Sequence, residues 1–370
     1  MIKKEIYISE GTLTYKDYEL FIKNHSIHAD KNIPINSIQP ASLDLRLGKV
    51  GYEISSSFVP IDKTVLEKLK YYKKRKVDIS NGFLFKKNVT YLIELQEKLN
   101  LNKNIFGKCN PKSSTGRLDI FSRIITDYNS EYEIIKNGYK GSIYIEVTSK
   151  TFDIILTEGD KLNQLRLRNG KTHYLNDDEI LKVNKKNYFL YDKINQPILP
   201  QIDNGIKIRA SIDKSEKIIA YKAKKNAPVL NYNKVRYYKK SDYWIPIKKV
   251  KHNSIIIEPN EFYIMKSSEK IRIFPNLAAE MVPYDTDIGE FRVHYAGFFD
   301  PGFGNIKNGS HAVLEIKTYE VPFAIEDGQN VARLLFEKLE KVPDKLYGNS
   351  INSNYQNQGL ALSKHFRLLG

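Results

Sequence analysis

Two stretches of the 370-residue chain carry residue types that do chemistry at usable spacing. The first is Asn110-Pro-Lys-Ser-Ser-Thr-Gly-Arg117. In a turn, its hydroxyls and backbone N–H groups ring an anion, and Lys112 and Arg117 supply positive charge. The Gly-x4-Gly-Lys-Ser/Thr spacing of a P-loop is missing, and a solvated basic turn fits the same composition. The second stretch is Ala296-Gly-Phe-Phe-Asp-Pro-Gly-Phe-Gly304, running on to His311-Ala-Val-Leu-Glu-Ile316. Asp300-Pro301-Gly302 gives a turn starter, a fixed φ and a residue free to take positive φ. The run from Ala312 to Ile316 reads as a buried strand, interrupted by Glu315. A buried carboxylate is costly unless it is paired or at work, and one held partly desolvated can pass protons. Taken alone, Glu315 reads better on a solvent face, which a period of two allows; the neighbouring turn and the matching copy earlier in the chain shift the reading.

Composition narrows the chemistry. The single cysteine, Cys109, excludes an internal disulfide and a multi-thiolate metal site, and with them the Cys-x-x-Cys zinc deaminase pattern. Cys109 reads as a small buried apolar residue. The seven histidines are scattered and no HExxH is present. The formal charge of +16 suits either a polyphosphate ligand or lysines spread over solvated faces. The basic runs 70–76 and 222–225 are short and far apart, and no RNP-like, KH or zinc-finger pattern accompanies them, so nucleic acid is not the expected partner. No apolar run approaches the roughly 20 residues of a membrane span, and the N-terminus does not read as a signal peptide. A cytoplasmic location is the expectation.

The elements that must position these residues are mostly strands. A helix is predicted within 9–24, capped by Thr14, with Leu20 and Phe21 on one face. Ser42, Asp44 and Arg46 alternate with Leu43, Leu45 and Leu47, the pattern of a half-buried strand ending at Gly48. Short strands and turns dominate after it, and Pro197 and Pro200 mark a linker. The polar stretch 344–359 reads as mobile. The two halves repeat: Tyr91 and Pro111 are twenty apart, as are Tyr263 and Pro283. Glu146 precedes Gly159 by thirteen, and Glu315 precedes Gly328 by thirteen. Two copies of one all-β domain are therefore expected, over residues 1–200 and 201–370. The copies have diverged. Only the first keeps the cationic hydroxyl turn, and only the second keeps the Asp-Pro-Gly turn, which points to one composite site.

On Pro111-Lys-Ser-Ser-Thr-Gly-Arg117, Ala296-Gly-Phe-Phe-Asp-Pro-Gly-Phe303, Val313-Leu-Glu315, Tyr355-Gln-Asn-Gln-Gly359 and Gln39-Pro-Ala-Ser-Leu-Asp-Leu-Arg-Leu-Gly48, the chain resembles the dCTP deaminases in their long two-domain bacterial form. That family belongs to the dUTPase-like β-clip superfamily. The resemblance covers nearly the whole chain. It implies two tandem β-clip domains and deamination of dCTP to dUTP and ammonia without a catalytic metal, Mg²⁺ arriving with the triphosphate. It places the catalytic glutamate on Glu315, with Ser113 and Arg117 orienting the water. It places substrate contacts on Lys112, Ser114, Asp300, Val313, Leu314, Tyr347, Tyr355 and Gln358. Thr126, Ala296 and Gly297 fall where relatives tune the choice of base. The tail is expected to close over the nucleotide, and the chain to form a trimer or pseudo-trimer. Asn354 departs from the family's tail lysine, for which Lys345 and Lys364 are the nearby replacements. Glu146 falls on the glutamate position of the first copy and is a rival for the chemistry. A dUTP diphosphatase, an enzyme doing both steps, and a non-catalytic nucleotide- or nucleic-acid-binding β protein are the alternative readings.

Overall fold

The computed structural model describes residues 9–171, 174–250, 252–283, 291–293, 297–305, 308–348, 355–356 and 358–368. It is mostly β, as the repeat pattern predicts. In the first half, the strand Lys140–Ser149 lies between Thr90–Asn100 and Ile120–Thr126, antiparallel to both. In the second half, Ser310–Thr318 lies in the same way between Tyr263–Ile271 and Phe291–Val293. Asn163–Asn169 pairs with Ile105–Pro111, and Asn330–Lys338 pairs with Leu277–Pro283. The duplication reaches the atoms of one ion pair. Arg46 Nε donates to Glu97 Oε1 at 2.6 Å while its backbone N–H donates to Oε2 at 2.8 Å. Arg209 meets Glu269 through the same atoms, at 2.5 and 3.2 Å.

Local chemistry explains the helices. Thr14 and Asp17 form a capping box at Tyr15–Lys23, where Phe21 is buried and Leu20 half-buried. Thr64 with Glu67 and Asn176 with Glu179 do the same for Val65–Tyr72 and Asp177–Lys186, two helices the strand-and-turn reading did not anticipate. No helix among the described residues is long and apolar enough to cross a membrane.

The strand around Leu43 differs from its half-buried expectation. Ser42, Asp44 and Arg46 are buried along with the leucines. Their side chains face Gln164, Lys112 and Glu97, so the polar face meets polar partners inside the protein rather than water. Cys109 is buried, and burial pushes its thiol well above the usual range.

Two main cores result. One gathers the first-half strands, and it also takes Trp244, Phe262, Val313, Leu362 and Phe366 from the second half. The other begins at Leu175, ahead of Pro197–Ile198, which is itself paired with Leu190–Tyr191. Buried charges join the halves. Arg166 and Arg168 both reach Glu337, at 3.2 and 2.7 Å, and Lys108 and Asn110 reach Glu280 at 2.6 and 3.0 Å. Burial alone would raise Glu337, but the two guanidiniums outweigh it and hold the carboxyl at about 2.

Candidate active site

The strand Ile105–Pro111 delivers the chain to Lys112, and a short helix, Ser113–Gly116, follows. Ser113 is exposed at the rim, while Ser114 and Arg117 are buried. Across from this turn, Ser310–Thr318 presents alternate faces to the two cores. Ala312, Leu314 and Ile316 belong to the second core, and Val313 to the first. Glu315 shares the Val313 face and is buried as well. The period of two thus separates two expected neighbours: Val313 lines the cavity beside Glu315, whereas Leu314 points the opposite way into the second core. Leu314 is therefore a core residue and not a wall of the site.

The cavity between these elements measures about 500 Å³ and is lined from both halves of the chain. Lys112, Ser113, Ser114, Arg117, Gly297, Asp300, Val313, Glu315, Tyr347, Tyr355 and Gln358 all border it. Ala296 lies outside the described residues. Thr126 does not border the cavity; it is buried in the first half and accepts a hydrogen bond from Asn129 at 3.1 Å.

Glu315 and Arg117 face each other across the seam. Arg117 Nε stands 4.0 Å from Glu315 Oε1, beyond hydrogen-bond distance. Arg117 Nε is buried and has no hydrogen-bond partner among the described residues. Burial pushes the Glu315 carboxyl up to about 8, against the pull of Arg117. The rest of Arg117 is tied to the tail. Its Nη1 donates to Gln358 Oε1 at 2.9 Å and to the Ala361 carbonyl at 3.0 Å, and its guanidinium lies 3.9 Å from the Tyr355 ring centre.

The described tail residues are docked on the site. Tyr355 shares a 2.8 Å hydrogen bond with Ser114, and its hydroxyl accepts the Lys364 backbone N–H at 3.1 Å. The Tyr347 backbone N–H donates to the Pro301 carbonyl at 2.9 Å. Gly302 takes φ +92°, which strains any residue with a side chain, and a Cβ there would lie a tight 3.0 Å from Leu346 Cβ. Gln356 spans the same turn, accepting from Gly304 N–H at 3.0 Å and donating to the Gly302 carbonyl at 3.2 Å. Beyond it, Leu362 and Phe366 enter the first core. Asn354 lies outside the described residues.

Several neighbours were not legible as site residues. Asp44 holds Lys112 in an ion pair. Lys161 and Lys364 border the same region, and desolvation lowers both lysines. Of the two candidate substitutes for a tail lysine, Lys364 borders the cavity, while Lys345 donates to the Tyr15 hydroxyl at 2.8 Å. Arg166, fully buried in the first half, holds the second half's turn. It pairs with Asp300 at 3.1 Å, donates to the Ala279 carbonyl at 3.0 Å and stacks 4.0 Å from the Phe298 ring centre. Burial raises the Asp300 carboxyl, and Arg166 opposes that shift.

Glu146 is elsewhere. It accepts from Arg123 Nη2 at 2.6 Å and from Nε at 3.2 Å inside its own sheet, and it does not border the cavity.

The profile for the N-terminal domain of 2'-deoxycytidine 5'-triphosphate deaminase matches residues 9–171, and that for its C-terminal domain matches residues 176–366. The chain superposes on the crystal structure of 2'-deoxycytidine 5'-triphosphate deaminase from Agrobacterium tumefaciens with a TM-score of 0.85 and 36% identity, covering 91% of this chain and 100% of that one. A Halobacterium salinarum protein named as a dUMP-forming dCTP deaminase is 30% identical over 110 residues, which is 29% of this chain and 53% of that protein. A Methanosphaera stadtmanae protein of the same name is 28% identical over 141 residues, 37% of this chain and 68% of that protein. The match therefore spans about half the length of the first of these curated relatives.

Proposed function

The chain belongs to the 2'-deoxycytidine 5'-triphosphate deaminase family, and from that premise we propose that it hydrolyses dCTP to dUTP and ammonia in the cavity shared by its two halves. The observation that carries this reading is the Glu315–Arg117 pair: a buried carboxyl facing, across a 4.0 Å gap, a guanidinium N–H with no hydrogen-bond partner among the described residues.

In the proposed reaction Glu315 begins as the carboxylate and takes a proton from water. The resulting hydroxide attacks C4 of cytosine. Glu315 returns that proton to N3, and the hydroxyl proton leaves with the amine as ammonia. Arg117 Nε orients the water and stabilises the charge that develops on its oxygen, with Ser113 at the rim. Val313 packs beside the base, and Gly297 borders its polar edge. Asp300 accepts from the sugar. Lys112, with Lys161 and Lys364 beside it, neutralises the triphosphate, joined by Tyr347, Tyr355, Ser114 and Gln358. Mg²⁺ enters as the triphosphate's companion, held by phosphate oxygens and waters.

A second reading continues from dUTP to dUMP and pyrophosphate by water attack on phosphorus. What favours it is the dUMP-forming name of the two curated relatives. One experiment separates the readings: incubation of the protein with dCTP and, separately, dUTP in Mg²⁺, with ammonia and nucleotides quantified. Deamination alone yields equal ammonia and dUTP. The two-step reaction yields ammonia, dUMP and pyrophosphate. Absence of ammonia, with dUTP cleaved, would leave a diphosphatase and overturn the proposal.

A further inference from the structure

The chain places a second ion pair two residues beyond the first. Arg117 faces Glu315, and Asp119 faces Lys317, with Lys317 Nζ 3.0 Å from Asp119 Oδ2. The polarity is crossed: cation then anion on the first-half turn, anion then cation on the second-half strand. Asp119 and Lys317 are both buried. Asp119 sits in the left-handed region at φ 55°, which a short polar side chain tolerates, just past the Ser113–Gly116 helix. Its backbone is fixed on both sides, by Asp119 N–H to the Gly116 carbonyl at 2.9 Å and by Lys150 N–H to the Asp119 carbonyl at 2.9 Å. The Thr151 hydroxyl donates to the same Oδ2 at 2.5 Å.

We infer that Asp119 and Lys317 are positioning residues that set the gap between Arg117 and Glu315. The inference rests on the proposed roles of those two residues. Residues 315 and 317 lie on the strand face that looks toward the first half, about 6.8 Å apart along the strand. A slide of the halves by that spacing would set Arg117 against Lys317, or Asp119 against Glu315, and like charges in a buried seam are strongly disfavoured. The closed Asp119–Lys317 contact therefore sets the register beside the site, while the Lys108, Arg166 and Arg168 pairs join the halves elsewhere. The neighbouring pair is held apart at 4.0 Å instead of collapsing into a direct ion pair that would engage both groups. A seam held together only by apolar contacts would lack this directional stop.

The test compares kcat with KM. Asp119→Asn combined with Lys317→Met removes both buried charges, leaving neither unpaired, and keeps a side chain at 119 that tolerates positive φ. Such neutral replacement is often tolerated in stability. Misplacing a reacting group by an ångström costs about 10²-fold. The double variant should therefore lose about 10- to 100-fold in kcat for dCTP, with KM within about threefold of wild type, because the triphosphate contacts are untouched. Asp119→Glu is the second variant: it keeps the charges and adds one methylene, at a cost in melting temperature because the longer side chain fits positive φ and the packed site less well, and its folded protein should show kcat lowered by about tenfold. Wild-type kcat in either folded variant would overturn the inference, as would a loss carried wholly by KM. Wild-type protein that releases no ammonia from dCTP would instead defeat the proposed function, so the two failures are distinguishable.

Discussion

Glu146 and Glu315 stand at the same position of two copies of one fold, thirteen residues ahead of Gly159 and Gly328, on strands with the same neighbours. Their surroundings differ. Glu146 takes its cation from the next strand of its own sheet, where Arg123 is directly opposite and closed to 2.6 Å. Arg123 is further held over the Tyr132 ring at 3.7 Å. Glu315 takes its cation from the other half of the chain, at 4.0 Å, on the wall of a cavity. A carboxylate closed onto a guanidinium has its charge satisfied. One that faces a guanidinium across a gap, in a buried setting, has its carboxyl raised toward neutral pH by burial, so that both the carboxylate and the acid are within reach there. The comparison teaches that after duplication the same residue type at the same position meets its cation at two different distances, and the proposed chemistry rests on that difference and not on the residue alone.

The largest expected effect separates the two glutamates. Glu315→Gln should lower dCTP turnover by about 10²–10⁴-fold while nucleotide binding persists, since an amide cannot accept and return a proton. Turnover and equilibrium binding measured on the same preparation check this, and an active Glu315→Gln beside an inactive Glu146→Gln would reverse the assignment.

A second effect of Glu315→Gln is on stability. The folded protein holds the Glu315 proton up to about pH 8, against an ordinary value of 4.5. Stability linked to that proton is intact below about 4.5 and is lost as pH rises toward 8. The glutamine has no proton to lose, so its melting temperature should match wild type near pH 4.5 and exceed it increasingly up to about pH 8. The gain is at most about 5 kcal/mol. A difference that does not vary with pH would contradict the buried, raised carboxyl.

Glu146→Gln should do the reverse: turnover within about threefold of wild type and a loss of stability. Removing one partner of a fully buried pair costs roughly 3–5 kcal/mol. Arg123 is 24% exposed, so about 2 kcal/mol is expected, read by denaturant melts. The smallest effect is Tyr355→Phe, which removes the hydroxyl between Ser114 and Lys364 N–H at a cost of about 1 kcal/mol. Because Leu362 and Phe366 lie in the first core, deleting residues from 344 onward would remove core together with the tail's contacts to the site. Point substitutions are the cleaner probe of the tail.

Much of this was legible in the sequence. The repeat spacing, the hydroxyl turn and the Asp-Pro-Gly turn each mark local structure, and they predicted strands, duplication and a shared site. What escaped depends on packing between the halves. Nothing local in Leu165-Arg-Leu-Arg168 distinguishes an outward arginine from Arg166, which crosses the seam to Asp300. Asp44 read as the solvent side of a strand because alternation does not reveal that Lys112 waits on that side. Leu314 was misassigned because adjacency in sequence is opposition in a strand. The helices Val65–Tyr72 and Asp177–Lys186 did leave a signal, Thr64 with Glu67 and Asn176 with Glu179, and the capping-box spacing could have found them.

The central claim is that one chain supplies both sides of the site, Arg117 from its first half and Glu315 from its second. Co-expressing Arg117→Gln chains with Glu315→Gln chains under separate tags, and isolating the protein that carries both, tests it directly. If each chain builds its own site, every site in the mixture lacks one of the two groups, and ammonia release from dCTP should stay at the level of the single variants. Recovery of a substantial fraction of wild-type turnover would mean that Arg117 of one chain meets Glu315 of another, and would contradict the account.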